Sequence, residues 1–168
     1  MFKSIKIEKI NDLPECDIGA PIPTIISDEF NVYLFYFHSI HDPYWDGTYV
    51  NVRNSDDTGI VCVEFKMFSS FKFGGPNDEA MNGHPLFKYG LEAYKFQKVI
   101  NSPWIEQIRK INSVHPQHND SMFSTLSHFI YFFHDTCFEI VCSEYKYEII
   151  KNKIMIECIK EKLQSLKI

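Results

Sequence analysis

His134, Asp135 and Glu139 fall within one stretch, HFIYFFHDTCFEIV, and carry the ingredients of proton transfer. An imidazole beside a carboxylate is drawn toward its charged form and works as an acid or base near neutral pH. Reading Asp135-Thr136 as a two-residue hairpin turn sets His134 opposite Cys137 and Phe132 opposite Glu139. Directly paired residues share a face of the sheet. Phe129, Tyr131, Phe133, Phe138, Ile140 and Cys142 then form a core face. His128, Ile130, Phe132, His134, Cys137, Glu139, Val141 and Ser143 form a mixed one. The functional reading makes the mixed face the floor of a pocket, with His134 as proton carrier, Glu139 or Asp135 tuning it, and His128 among the binding groups. The plainer reading is a half-exposed sheet face whose polar groups meet water.

A second cluster lies in FGGPNDEAMNGHPLF, residues 73 to 87. Asp78 and Glu79 begin a helical turn, where the dipole stabilises negative charge, and His84 precedes Pro85. As structural punctuation every residue here has a local role. As a functional loop it would bring Asp78, Glu79 and His84 to the rim of the same pocket.

Histidine spacing supplies a third pattern. HSIH at 38 and 41 and HPQH at 115 and 118 place histidines three apart, with Asp42 and Asp120 nearby. Two histidines and a carboxylate suit zinc or iron with an open position, which makes His115 and His118 candidate ligands. The helical His-Glu-x-x-His signature is absent, and Pro116 ends any helix there, so a solvated loop accounts for the same residues. No Gly-x-Ser-x-Gly elbow, phosphate loop or dinucleotide fingerprint occurs. Cys137 beside His134 resembles a nucleophile pair, but its neighbour Phe138 favours a packed thiol.

The elements that must position these groups read as follows. KSIKIEK, 3 to 9, alternates like an edge strand, and FNVYLFYFH, 30 to 38, is apolar on both faces like a central one. TYVNVR, 48 to 53, and IVCVEFKMF, 60 to 68, extend it as an antiparallel meander. Residues 76 to 90 form two short helical pieces, and 93 to 100 a strand. SPWIEQIRKINSV carries an N-cap serine, Ser102, a first-turn proline, and a stripe of Trp104, Ile108 and Ile111. The hairpin around 135 follows, then an amphipathic helix over 151–166 with Met155, Ile159, Leu163 and Leu166 inward. The sum is an α+β fold: a mainly antiparallel, curled sheet of about six or seven strands with helices on one side.

Composition bounds the rest. A chain of 168 residues with 45% hydrophobic content fits one domain that buries its own core without metal or disulfide. Five cysteines with no Cys-x-x-Cys pair read as reduced, buried thiols of a cytoplasmic protein. The opening residues have no apolar signal core, and no run is apolar enough to span a membrane. A net charge of −5 with only Arg53 and Arg109 as arginines argues against nucleic acid.

Two functions of different class follow. The first is a cytoplasmic binding module that holds a protein partner or small ligand on the open sheet face. Tyr44 and Trp45 of DPYWDG would serve as aromatic anchors. The alternative is a small hydrolase or lyase using the His/carboxylate groups, metal-assisted if zinc or iron binds and otherwise without a cofactor. A third reading is a subunit of a homo-oligomer that buries aromatic edge strands between copies.

Overall fold

A computed structural model describes residues 4–39 and 59–166. Tyr44, Trp45 and TYVNVR lie outside the described residues. The fold is α+β, and among the described residues nine strands form two antiparallel sheets. β1 (Lys6–Lys9), β5 (Ser70–Gly74), β6 (Phe96–Ile100), β7 (Ser127–Phe132) and β8 (Cys137–Cys142) make a five-stranded sheet in the order β1-β6-β7-β8-β5. β2 (Thr24–Ser27), β3 (Asn31–Phe37), β4 (Ile60–Lys66) and β9 (Glu144–Ile150) make a four-stranded sheet in that order. Among the described residues two α-helices accompany them, α1 (Pro103–Asn112) and α2 (Met155–Leu163).

The sheets pack face to face because each central strand has an apolar row on its inner side. Val32, Leu34, Tyr36, Val61, Val63 and Phe65 of one sheet meet Phe96, Phe129, Tyr131, Phe138, Ile140 and Cys142 of the other. Tyr131 and Phe133 stack with ring centroids 4.4 Å apart, and Tyr36 meets Tyr131 edge-on at 5.6 Å. Such pairs add about 0.5–1.5 kcal/mol each beyond the area they bury.

Both outer faces are covered as well. α2 seats Cys158, Met155 and Ile159, and Leu166 just beyond it adds to them, against Tyr33, Phe35, Ile60 and Cys62 of the four-stranded sheet. Leu163, expected inward, is 40% exposed. The outer face of the five-stranded sheet lies beneath residues 81–93, where Leu86 and Leu91 pack on Val99, Ile130, Phe132 and Cys137. The first turn of α1 closes the end of this face: Trp104 meets His128 edge-on at 5.1 Å. Ile111 is 66% exposed and so does not continue a buried stripe from Trp104. Covering layers therefore lie on two sides of a sandwich, rather than helices on one side of a single curled sheet.

Among the described strands the chain crosses between sheets after β1, after β4 and after β8, and the last two crossings are neighbouring corners. β4 passes into β5 through Met67, whose φ of +46° turns it outward to 67% exposure. The expected inward row thus ends at Phe65. β8 passes into β9 at Ser143, whose N–H donates to the Lys66 carbonyl at 3.4 Å. β3 and β4 pair directly, Leu34 opposite Val63.

Candidate functional site

The hairpin that carries most of the candidate groups closes around His134 and Asp135, one residue earlier than the expected Asp135-Thr136 turn. Phe132 pairs with Cys137 and Ile130 with Glu139. The Phe133 N–H donates to the Thr136 carbonyl at 2.8 Å, which leaves His134 and Asp135 in the loop. The register differs from the expected one by two residues, so each strand residue keeps its expected face. The consequence for chemistry is large. His134 is not on the sheet face with Glu139, and the groups assemble into two separate clusters.

The first cluster is buried on the outer face of the five-stranded sheet. His128 is 1% exposed and Glu139 7%. His128 Nε2 lies 3.0 Å from Glu139 Oε2, and His128 Nδ1 lies 2.8 Å from Ser102 Oγ. Glu139 accepts only, so Nε2 carries the proton, and the Ser102 hydroxyl donates to Nδ1. Ser102 caps α1, its Oγ accepting from the N–H groups of Trp104 at 3.2 Å and Ile105 at 3.3 Å. Lys72, paired with Glu139 across β5 and β8, donates to Oε1 at 3.2 Å and lies 3.9 Å over the Trp104 ring. His84 reaches down from the covering segment to 3.6 Å from the same oxygen. Its Nδ1 accepts the Leu86 N–H, so Nε2–H faces the carboxylate. Burial lowers the pKa of His128, outweighing the pull of Glu139 in the other direction. Burial raises the Glu139 carboxyl, but His128, His84 and Lys72 together outweigh it and hold the group well below the usual carboxylate range. The pair is thus an ionised Glu139 receiving a hydrogen bond from a neutral imidazole.

The second cluster is open. Asp78, on the loop after β5, meets His134 on the loop after β7 and Tyr94 just before β6. His134 Nδ1 lies 3.3 Å from Asp78 Oδ2 and 3.2 Å from the Tyr94 hydroxyl oxygen. The Tyr94 hydroxyl donates to the same Asp78 oxygen. Asp78 Oδ1 accepts the Glu79 N–H at 2.8 Å, and the Asp78 N–H donates to the His134 carbonyl at 3.1 Å. The two loops are therefore bound to each other through backbone and side chain. The Asp78 side chain is 16% exposed and that of His134 46%. The hydrogen bond to Asp78, then the charges of Asp78, Asp135 and Glu79, raise the His134 pKa. Burial pulls the Asp78 carboxyl up, but Tyr94, His134 and the Glu79 N–H lower it further.

Tyr94 sits at φ +59°, a left-handed conformation that an aromatic residue seldom adopts. Such a backbone costs of order ~1 kcal/mol or more and is held by its surroundings. Here the Tyr94 N–H donates to the Phe132 carbonyl at 2.8 Å, which aims the hydroxyl at Asp78. Glu79 and Asp135 are exposed at the rim, and Glu79 contributes its backbone N–H rather than its carboxylate.

His115 and His118 belong to neither cluster. His115 Nδ1 accepts the Gln117 N–H at 3.1 Å. His118 bridges Asn112 and Asp120, each at 2.9 Å, and Asp120 also accepts from Arg109 at 2.7 Å. These contacts tie the loop after α1 back onto the helix. Among the described residues no three or more His, Cys, Asp or Glu side chains are placed to hold a metal ion. Cys137 is buried, and burial pushes its thiol far above the usual range. Among the described residues no helix is long and apolar enough to cross a membrane.

Three working side chains were not candidates in the sequence: Tyr94, Lys72, and Ser102 beyond its role as a cap. Tyr94 and Lys72 reach their partners only through sheet pairing, and no spacing rule announces them. Comparison of the chain with family models, with curated proteins and with solved structures returned no match.

Proposed function

We propose that the protein is a small acid–base enzyme of the hydrolase or lyase class, with His134 as its proton carrier. The observation that carries this reading is the solvent-facing imidazole whose Nδ1 is held by Asp78 and Tyr94. Asp78 is acceptor-only, so the neutral ring keeps its proton on Nδ1 and offers the Nε2 lone pair outward. Nε2 then takes a proton from water or from a substrate carbon, nitrogen or oxygen acid. Asp78 stabilises the imidazolium that forms, and the reprotonated ring returns the proton to a leaving group. The raised pKa of His134, set first by its hydrogen bond to Asp78, makes the ring a stronger base once deprotonated. Tyr94 and the Glu79 N–H hold Asp78 in place, so the base is oriented before substrate arrives.

The mixed sheet face on which a binding module would hold its ligand is covered: His128, Ile130, Phe132 and Val141 are each at most 1% exposed. A docking floor there loses its support, and the acid–base reading takes its place.

The test is a panel of model phosphoesters and β-elimination substrates, assayed with the full chain and with His134→Gln and Asp78→Asn. The reading expects turnover that rises with pH through neutrality and falls about 100-fold or more in His134→Gln, the lower range for a lost general base. A His134→Gln variant at full rate, or an absence of turnover across the panel, contradicts it.

A further inference from the structure

The buried cluster contains an arrangement that its structural role does not use up. Ser102, His128 and Glu139 form one hydrogen-bonded line, hydroxyl to imidazole at 2.8 Å and imidazole to carboxylate at 3.0 Å. The imidazole tautomer is the one a nucleophile needs, with its lone pair toward the hydroxyl and its N–H toward the carboxylate. Ser102 also lines a surface pocket of about 420 Å³ between the end of β6, the first turns of α1 and the start of β7. The lining is mixed: Val99, Ile105 and Leu126 are apolar, and Lys98, Glu106 and Ser127 are polar or charged.

Capping a helix needs only the serine hydroxyl. It does not need a desolvated imidazole and an ionised carboxylate behind it, which are costly to bury. The capping bonds, at 3.2 and 3.3 Å, are also longer than the bond to His128. The strongest contact of the hydroxyl is thus to its proton acceptor.

We infer that Ser102 is a nucleophile, activated by His128 and Glu139, that accepts an acyl group from small carboxylic esters in this pocket. This second centre is separate from the Asp78–His134 cluster: His128 and His134 stand at opposite ends of β7, roughly 20 Å apart at about 3.3 Å per residue. In the first half-reaction Ser102 Oγ bonds to the ester carbonyl carbon while its proton passes to His128 Nδ1. The tetrahedral adduct collapses, the carbon–alkoxide bond breaks, and the alkoxide takes the proton from Nδ1 and leaves as alcohol. In the second, water gives a proton to Nδ1 and adds to the acyl carbon. The bond to Oγ breaks, Oγ recovers the proton, and a carboxylic acid departs. Throughout, Glu139 holds Nε2–H and stabilises the imidazolium. The backbone N–H groups of Trp104 and Ile105, freed when Oγ moves onto the substrate, face the region where the oxyanion develops.

The experiment is labelling of the full chain with an alkyl fluorophosphonate, in which Oγ displaces fluoride at phosphorus, followed by intact mass and peptide mapping. The expected result is a single adduct on Ser102. Its rate should fall about 100-fold or more in Glu139→Gln and be unchanged in His115→Gln. Ser102→Gly, which keeps most of the capping stability, should lose the label while its circular dichroism stays that of the folded protein. Absence of an adduct on Ser102 in the folded protein overturns the inference, as does labelling at an undiminished rate in a folded Glu139→Gln variant. Either failure leaves the Asp78–His134 reading to its own assay.

Discussion

His128 and His134 have matched partners. Each imidazole meets one carboxylate and one hydroxyl, Glu139 with Ser102 for the first and Asp78 with Tyr94 for the second. They titrate in opposite directions, His128 down and His134 up. The difference is burial. His128 lies under Trp104 and the covering segment at 1% exposure, where desolvation penalises the imidazolium more than Glu139 favours it. His134 keeps nearly half its side chain in water, so the hydrogen bond to Asp78 decides its pKa. The same three functional groups thus give a neutral, locked relay in one place and an accessible base in the other. Placement, more than residue type, determines the chemistry available.

The comparison is broken most severely at the buried carboxylate. Glu139→Ala strands the His128 Nε2–H, takes the partner from Lys72 and His84, and opens a void. A loss of about 3–5 kcal/mol is expected in chemical denaturation, from an unsatisfied buried donor plus a cavity. Asp78→Ala, in the open cluster, should cost about 1 kcal/mol or less, because water replaces the lost partner. Equal losses from the two would erase the distinction.

Ser102→Ala should cost about 1 kcal/mol through the cap alone. A second loss appears if His128 Nδ1 is left without a donor, and a denaturant midpoint compared with Ser102→Gly separates the two.

Acid exposes the contrast without mutation. The depressed pKa of His128 contributes stability that is fully present above the ordinary histidine value of 6.5 and is lost as pH falls through its folded value. The depressed pKa of Glu139 adds stability above 4.5 that is lost further into acid. His134 acts oppositely: its raised pKa contributes below 6.5 and fades as pH rises through the folded value. His134 is solvated, so the buried pair should dominate, and melting temperature should fall as pH drops from 7 toward 5. A melting temperature that rises over that range would contradict this ordering. The smallest effect is expected at His115, exposed and without a carboxylate partner among the described residues, where His115→Gln should change stability by less than about 0.5 kcal/mol.

Local patterning carried much of the fold. β3 reads as a doubly covered strand because both of its rows are apolar, and its five central residues are buried. Ser102-Pro103 announces the start of α1 through cap chemistry. The faces of β7 and β8 follow from alternation, and the register shift left them intact because it moved by an even number. What escaped the sequence is set by tertiary pairing. TIIS and SFKFG are too short and too polar to stand out, and they become strands only beside β3 and β8. CFEIVCSEYKY reads as one arm of the hairpin, yet it divides at Ser143 because its halves pair with different sheets. The candidate site was visible as residues and not as groupings. His128 and Glu139 share a face in any even register, but His84 reaches Glu139 only through the covering segment. Asp78, Tyr94 and His134 lie on three loops that the five-stranded sheet brings to one end.

The central claim is that Asp78 orients His134 as an outward-facing base. Long-range proton–nitrogen NMR of the imidazole rings, recorded across pH 5 to 9 for the native protein and Asp78→Asn, tests it most directly. The account predicts a neutral His134 protonated on Nδ1, with a pKa above the ordinary histidine value that drops back toward it in Asp78→Asn. A His134 that titrates at or below the ordinary value, or whose titration ignores Asp78→Asn, would contradict it.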